Sequence, residues 1–377
     1  MSRRGKGEGS ISLRQDGRWQ ARLTYQDGGR TRRRSLYGKT RAEVGKKLRD
    51  ALKHHDDGLP LASGRETVGN FLASWLRDSA APALRPRTLD SYRQIVANHL
   101  APELGRVALV KLTPAMIQAY MNSKRSAGLS ARTVQYHHAI LRRALGQAER
   151  WGKVSRNVAR LVSPPKVERP EVLPLTPEQA QVFLKAVAES RDSALYACAV
   201  GLGLRQSELL GLGWADVNLD DGTLTVRRTL QRYAGAYHLD LPKTDRSRRT
   251  LGLPVSLVHA LRAHRNLQLR ERLKAGPAWR GDEWNLVFCT EAGAPMPGNY
   301  LTHRFQELLS SLHLPKQRFH DLRHASATYM LAQGVDLRVV MEVLGHSQIH
   351  VTANTYAHVK VDATRSAAEN VDALLSR

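Results

Sequence analysis

Two cysteines, Cys198 and Cys289, stand in a chain of 377 residues. So few thiols rule out a disulfide framework and a complete structural zinc site, and they fit a reducing cytoplasm. Long apolar runs are equally scarce. The longest, Ala194 to Leu204, is eleven residues, against the roughly 20 that a membrane-spanning helix needs. No apolar run follows the positive charges of the opening MSRRGKGEGS, so no secretory leader is expected. The sequence shows no glycine-rich phosphate loop, no internal repeat and no metal-ligand cluster at usable spacing. Acidic residues are short too: 34 against 58 basic ones, for a formal net charge of +24.

What is present suits a soluble, folding chain of two or three domains, with 42% hydrophobic and 24% charged residues. The positive excess is uneven. Residues 1–58 carry 16 basic and 7 acidic side chains, and residues 59–165 carry 16 and 5. Residues 166–377 are nearly balanced, with 26 and 22. A field concentrated on the first 165 residues favours a polyanionic partner over a merely solvated basic surface. Anionic lipid fits less well, because no basic amphipathic helix with bulky apolar anchors appears there.

Three segments separate by pattern. In the first, short alternating runs (Ile11, Leu13; Trp19, Ala21, Leu23, Tyr25) are divided by Asp16-Gly17 and Asp27-Gly28-Gly29, which are hairpin signals. A helix from Arg41 to His54 follows, with Thr40 and Glu43 at capping-box spacing. The spacing predicts a small three-stranded sheet backed by one helix over residues 1–58. Its arginines, Arg14, Arg18, Arg22, Arg32, Arg33 and Arg34, suit a sheet face that enters a DNA groove; a surface charge run is the plainer alternative.

The second segment, 65–165, reads as an all-α bundle. Val68, Phe71, Leu72, Trp75 and Leu76 repeat at helical period, and helices are expected over Arg87–Leu100, Thr113–Lys124 and Ser130–Glu149. Arg87, Lys124, Arg125, Arg132 and Arg142, with Thr88, Ser91, Arg93, His137 and Arg143, make a basic, hydroxylic face suited to phosphate contacts. A bundle used only for dimerisation is the alternative. The linker SPPKVERPEVLP (163–174) has four prolines in twelve residues and resists helix and sheet alike. The third segment, 172–377, reads as mixed α+β and mainly helical, with one β region at 222–254.

Four stretches of this third segment share one chemical logic. In GLGLRQSELLGL, Arg205 and Glu208 lie one helical turn apart among leucines. An arginine in so apolar a setting needs an anion or a carboxylate. In LPKTDRSRRTL, Lys243, Arg246, Arg248 and Arg249 read as an exposed basic hairpin tip. In RFHDLRHASAT, His320 and Arg323 share a helical face, pairing an imidazole for proton transfer with a guanidinium for charge. In VLGHSQIHVTANTYAHV, His346 follows a helix-ending glycine and Tyr356 comes ten residues later among polar neighbours. Tyr196 and Tyr329 read as packing residues. A phenol becomes a nucleophile only where positive charge lowers its pKa.

The order arginine, lysine, His-x-x-Arg, histidine, tyrosine resembles the tyrosine recombinases, the phage-integrase family. The likeness covers 172–377 through GLRQSELLGL, PKTDRSRRTLGLP, HDLRHASAT and LGHSQIHVTANTYAHV. It extends less specifically to 65–165 as a core-site DNA-binding domain and to 1–58 as an arm-site binding domain. Gln206-Ser207 and Gly252 depart from the usual pattern without touching a catalytic position. The resemblance implies that Tyr356 attacks a DNA phosphodiester to give a 3′-phosphotyrosine. Arg205, Arg323 and His346 would hold the phosphate, His320 would move the tyrosine proton, Lys243 would protonate the leaving 5′ oxygen, and Glu208 would orient the arginines. It implies no metal and no cofactor. Its partners are double-stranded DNA at core and arm sites and three further copies of the chain, with room for a DNA-bending protein and an excision factor. An integrase of a phage or integrative element, acting on DNA in a bacterial cytoplasm, is the expected identity. A chromosome-dimer resolvase, a type IB topoisomerase-like enzyme and a non-catalytic DNA-binding protein of the same fold are the rivals. The stripe Ala367, Ala368, Val371, Leu374 and Leu375 suits docking on a neighbouring protomer or on its own domain.

Overall fold

The computed structural model describes residues 9–27, 30–56, 66–168, 173–242 and 247–345, in two compact units, Met1–Arg169 and Pro170–Arg377. Lys243, Arg246, His346, Tyr356 and the apolar stripe 367–375 lie outside the described residues.

In the first unit, strands β1 (Ser10–Leu13), β2 (Trp19–Asp27) and β3 (Arg30–Gly38) form an antiparallel sheet in that order. Gly17 takes the left-handed corner of the first turn at φ 74°, where Asp16 accepts from the Arg18 backbone N–H at 3.1 Å. Ala21 and Leu23 pack on Val44, Leu48 and Ala51 of the helix Arg41–Asp56 as a small buried core. Thr40 accepts from the Glu43 N–H at 3.2 Å, while the Glu43 carboxylate reaches the Lys39 N–H at 2.9 Å. The return bond of the expected capping box thus falls one residue early.

Register divides the sheet arginines. Gln20, Arg22 and Thr24 pair with Tyr37, Ser35 and Arg33, and alternation sets them opposite the buried Ala21 and Leu23. Arg22 and Arg33 therefore stand on the open face, where Arg14 lies over the Tyr37 ring at 5.5 Å. Arg34 pairs with Leu23, and Arg32 with Tyr25, so both backbone positions carry the register of the helix-covered face. Arg18 sits in the turn, paired with Asp16 at 3.1 Å. The expected single arginine-lined face is corrected to a mixed one of Arg14, Arg22 and Arg33 with hydroxyl and amide neighbours.

In the helical part, Thr67 caps Val68–Trp75, whose Val68, Phe71, Leu72 and Trp75 are buried. The helix Pro86–Ile95 ends in a π turn, Val96–Leu100, as Leu76–Ala80 does after Trp75. Each π turn is followed by an Ala-Pro pair, Ala81-Pro82 and Ala101-Pro102. Proline has no N–H for the residue four back and its ring crowds that carbonyl. The ladder widens instead, with Ala81 donating to Leu76 and Ala101 to Val96. Helices Pro114–Ser126 and Ala131–Arg150, capped by Thr113 and Ser130, complete a core that includes Ile117, Tyr120, Met121, Val134 and Leu141.

Two residues expected on the basic face are placed differently. His137 is fully buried, its Nδ1 2.9 Å from the Tyr120 hydroxyl. Burial, with the charges of His99 and Lys124 adding to it, pushes its pKa down to about 4. Lys124 is largely buried too, paired with Glu103 and lying 5.5 Å over the Tyr120 ring. Arg87, Arg125, Arg132 and Arg142 remain exposed.

The second unit begins with Pro177–Ala186, entered through a capping box of Thr176 and Gln179. Its core gathers edge-to-face rings: Phe183 on Tyr196 at 5.0 Å, Phe183 on Phe305 at 5.5 Å and Phe305 on Phe319 at 5.6 Å. The expected β region is two sheets. Strands β4 (Val217–Asn218) and β5 (Thr223–Val226) are followed by β6 (Thr229–Tyr233) and β7 (Ala236–Asp240), which pair only as a hairpin. Strand β8 (Arg249–Gly252) returns to β5, giving the antiparallel order β4-β5-β8. Helices Val255–Ala275, Gly298–Ser311, Asp321–Ala332 and Leu337–Leu344 follow.

Among the described residues no helix is long and apolar enough to cross a membrane.

Candidate active site

The last carbonyls of a helix lack intrahelical partners and carry the negative end of its dipole. At the end of Leu337–Leu344, three guanidiniums take three consecutive ones. Arg249 Nε donates to the Val343 oxygen at 2.6 Å, Arg323 Nη2 donates to Leu344, and Arg205 Nη2 donates to Gly345 at 3.2 Å. Gly345 ends the helix at φ 64°, and the next residue in the chain is His346.

Arg205 lies in the extended corner between the helices Ser193–Leu202 and Gln206–Leu210, as the cap of the second. Its Nη1 meets Glu208 Oε1 at 2.5 Å and its backbone N–H meets Oε2 at 3.1 Å. The expected pairing of Arg205 with Glu208 is therefore present, and the Arg205 side chain keeps 32% of its surface. Burial works against the charge of Glu208. The guanidiniums of Arg249 and Arg205 outweigh it and hold the carboxyl below the usual carboxylate range.

Arg323 is 2% exposed. Besides Leu344, it donates through Nη1 to the Gly203 oxygen at 2.7 Å. The position of that acceptor also requires a glycine, for a separate reason. The backbone there sits at φ 59°, and an added Cβ would lie 2.6 Å from Leu344 Cδ2 and 3.0 Å from Ser326 Oγ.

His320 caps the helix Asp321–Ala332, one turn before Arg323, as the spacing predicts. It keeps an accessible face, although the ring sits among dense neighbours, 5.2 Å from the ring of His324. Crowding out of water comes first in pushing its pKa down to about 4, followed by the charges of His324 and Arg323 against the opposing Asp321. A neutral imidazole beside two guanidiniums can accept a proton at physiological pH. His320 is accordingly expected to titrate far below 6.5 in the free protein, read from its ring carbon-proton shifts by NMR. The sign follows. An unfolded histidine gains its proton near 6.5 and the folded one only near 4, so His320 lowers stability as pH falls through that window. A midpoint at 6.5 would contradict the geometry.

One expectation is overturned outright. Arg249 is no solvated tip. Val226 pairs with Arg249 and Leu224 with Leu251, so Arg249 shares the buried face of the sheet, its side chain 7% exposed. Its Nη2 meets Glu208 Oε2 at 3.0 Å. Arg248 alone of the described tip residues stays exposed. Tyr196 is fully buried, and the Tyr329 hydroxyl donates to the Leu175 oxygen at 2.6 Å. Both are packing residues, as the sequence predicts.

The comparisons with known proteins point one way. The phage integrase family matches residues 174–362, and the family's N-terminal SAM-like domain matches 67–125. A tyrosine recombinase XerC-like protein of Caldanaerobacter subterraneus subsp. tengcongensis is 31% identical, over 92% of this chain and 93% of its own. An integrase of Saccharopolyspora erythraea is 29% identical, over 97% and 96%. Among solved structures, the Tn1549 transposon integrase in complex with a circular intermediate DNA superposes with a TM-score of 0.66 at 23% identity, over 81% of this chain and 99% of its own. A lambda integrase dimer bound to a core site reaches 0.56 at 17% identity, over 94% and 96%. Half of the chain thus matches the family, and a relative above 30% identity spans nearly all of it; the chain belongs to the phage integrase family, the tyrosine recombinases.

Proposed function

We propose that this enzyme cuts and rejoins duplex DNA through a 3′-phosphotyrosine on Tyr356, integrating and excising a phage or other mobile element. The observation that carries the reading is the convergence of Arg205, Arg323 and Arg249 on the turn that leads into His346. Relatives named as integrases support it, as do the structures of the Tn1549 integrase with a circular intermediate DNA and a lambda integrase tetramer on a Holliday junction.

In this mechanism the Tyr356 oxygen forms a bond to phosphorus as the bond to the 5′ oxygen breaks. His320, neutral in the free site, takes the phenol proton. Lys243 gives one to the departing 5′ oxygen. Arg205 faces the nonbridging oxygens, whose negative charge grows in the transition state, and His346 adds a hydrogen bond. Arg323, 2% exposed with its Nη groups on the Gly203 and Leu344 oxygens, would join them by exchanging one of those carbonyls for the phosphate. The phosphotyrosine keeps the energy of the broken bond, so a 5′-hydroxyl from another duplex rejoins it by the reverse steps. Four protomers around two duplexes would make the exchange reciprocal. A covalent complex on nicked duplex tests the chemistry. Binding without any adduct would favour a non-catalytic protein of the same fold.

Residues 65–165 would hold the core site, and residues 172–377 would carry the chemistry. Residues 1–58 would grip separate arm DNA, through the open sheet face of Arg14, Arg22 and Arg33. Each phosphate neutralised steepens the salt dependence of log K by about 0.9. Arg22→Ala/Arg33→Ala should therefore flatten the slope by about 1.8 on arm DNA and leave the slope on core DNA unchanged. Fluorescence anisotropy at several salt concentrations reads both, and equal slopes on arm DNA would remove this face from the interface.

A further inference from the structure

We propose that Arg249 is a positioning residue that orients Arg205 and the approach to His346 from one buried point. The inference rests on the recombinase reading of the site and goes beyond it, since Arg249 lies within the matching stretch PKTDRSRRTLGLP but outside the catalytic set that the resemblance implies. Each of its three nitrogens has a separate protein acceptor. Nε meets the Val343 oxygen at 2.6 Å, Nη1 the Ser247 oxygen at 3.1 Å and Nη2 the Glu208 carboxylate at 3.0 Å. A guanidinium so committed, with a side chain 7% exposed, is not a phosphate ligand. Arg205, with 32% of its side chain accessible, is the one placed to meet DNA.

The acceptors define what Arg249 does. Through Glu208 it holds the carboxylate that grips both the side chain and the backbone N–H of Arg205. Through Val343 it holds the helix end three residues before His346. Through Ser247 it holds the chain two residues before its own place in the strand. Glu208 is 1% exposed on its side chain, and a carboxylate so buried stays ionised only with cations beside it. Arg249 therefore also sets the charge that Arg205 feels. A lysine cannot replace this fork, because one ammonium on a flexible stem does not reach three diverging acceptors.

The test uses the full-length chain in four variants: Arg249→Met, Arg249→Lys, Glu208→Gln and the double variant Arg249→Met/Glu208→Gln. Single-turnover cleavage of a nicked duplex at saturating protein gives the rate, and anisotropy gives the affinity. Arg249→Met is expected to lower the cleavage rate about a hundredfold, the scale of an ångström-sized misplacement. DNA affinity should stay within roughly threefold, since the lost interaction is not with ground-state DNA. The acid limb of the rate profile should move to higher pH, because Glu208 loses the first of the two cations that lower its carboxyl. In the Glu208→Gln background, loss of Arg249 should slow cleavage only about tenfold or less, as expected of residues acting through a shared partner. Arg249→Lys should be intermediate in rate with the same pH movement. It also keeps the proposal testable should Arg249→Met fail to fold.

Three results would overturn the proposal: cleavage at the wild-type rate in Arg249→Met, a rate and affinity that fall together, or a full hundredfold effect that persists in the Glu208→Gln background. Arg205→Ala separates this inference from the reading beneath it. If Arg205→Ala cleaves normally, the recombinase reading of the site fails; if it is inactive while Arg249→Met is normal, only the role of Arg249 fails.

Discussion

Tyr356→Phe is expected to bind attachment-site DNA as the wild type does and to form no covalent complex on a suicide duplex. Loss of a nucleophile removes about 10⁴-fold or more of the rate, which takes adduct below detection in a gel assay. Two other tyrosines of the same unit, Tyr329 and Tyr196, cannot substitute. Tyr329 spends its hydroxyl proton on the Leu175 and Thr176 oxygens at 2.6 and 3.2 Å, and burial pushes its pKa up to about 12. Tyr196 is fully buried, and desolvation raises its phenol further from ionisation. Adduct surviving in Tyr356→Phe would move the nucleophile elsewhere.

Glu208→Ala should be the most destabilising single substitution at the site. Its carboxylate answers Arg205 at 2.5 Å and Arg249 at 3.0 Å from a side chain 1% exposed. Removing one member of a buried pair leaves the other charge uncompensated, at about 3–5 kcal/mol. Arg205 is partly solvated and Arg249 keeps two carbonyls, so the lower end, about 3 kcal/mol, applies. In a catalytic unit of this size that lowers Tm by roughly 6–12 °C, measurable by calorimetry. Glu208→Gln, which keeps the shape and loses the charge, should fall between. The pH dependence has a definite sign. The folded carboxyl is held below its ordinary value of 4.5, so its contribution is present above that pH and is lost as pH falls through the lower folded value. The gap between wild type and Glu208→Gln should narrow below pH 4.5, and a gap that widens there would contradict the assignment.

The described part of the proposed catalytic motif, Arg205, Glu208, His320 and Arg323, was legible as a cluster because the chemistry it suits dictates residue type at each place. A guanidinium, a His-x-x-Arg and a lone tyrosine among polar neighbours are readable wherever they fall. Arg249 was not, because its burial depends on register. The chain leaves β5, makes the β6–β7 hairpin and returns, and only the pairing of Val226 with Arg249 shows which face it takes. A local trace was present, since Arg249 and Leu251 are two apart in a strand and so share a side of the sheet. His137 carried a similar trace: it is three residues from the buried Val134 and Ile140, the spacing of one helical face. The run Arg32-Arg33-Arg34 could not lie on one face of any strand. The three carbonyls at the helix end were invisible for another reason: a backbone oxygen has no letter in a sequence.

The measurement closest to the central claim is the site of DNA attachment in the wild-type chain. Trap the covalent complex on a suicide duplex, digest it with trypsin and nuclease, and sequence the modified peptide by mass spectrometry. Cleavage after Arg338 and Lys360 releases Tyr356 in the peptide 339–360, while Tyr329 leaves in 324–338. The account predicts a nucleotide joined through its 3′ phosphate to Tyr356 in the first peptide. A nucleotide on Tyr329, or one joined through a 5′ phosphate, would contradict it.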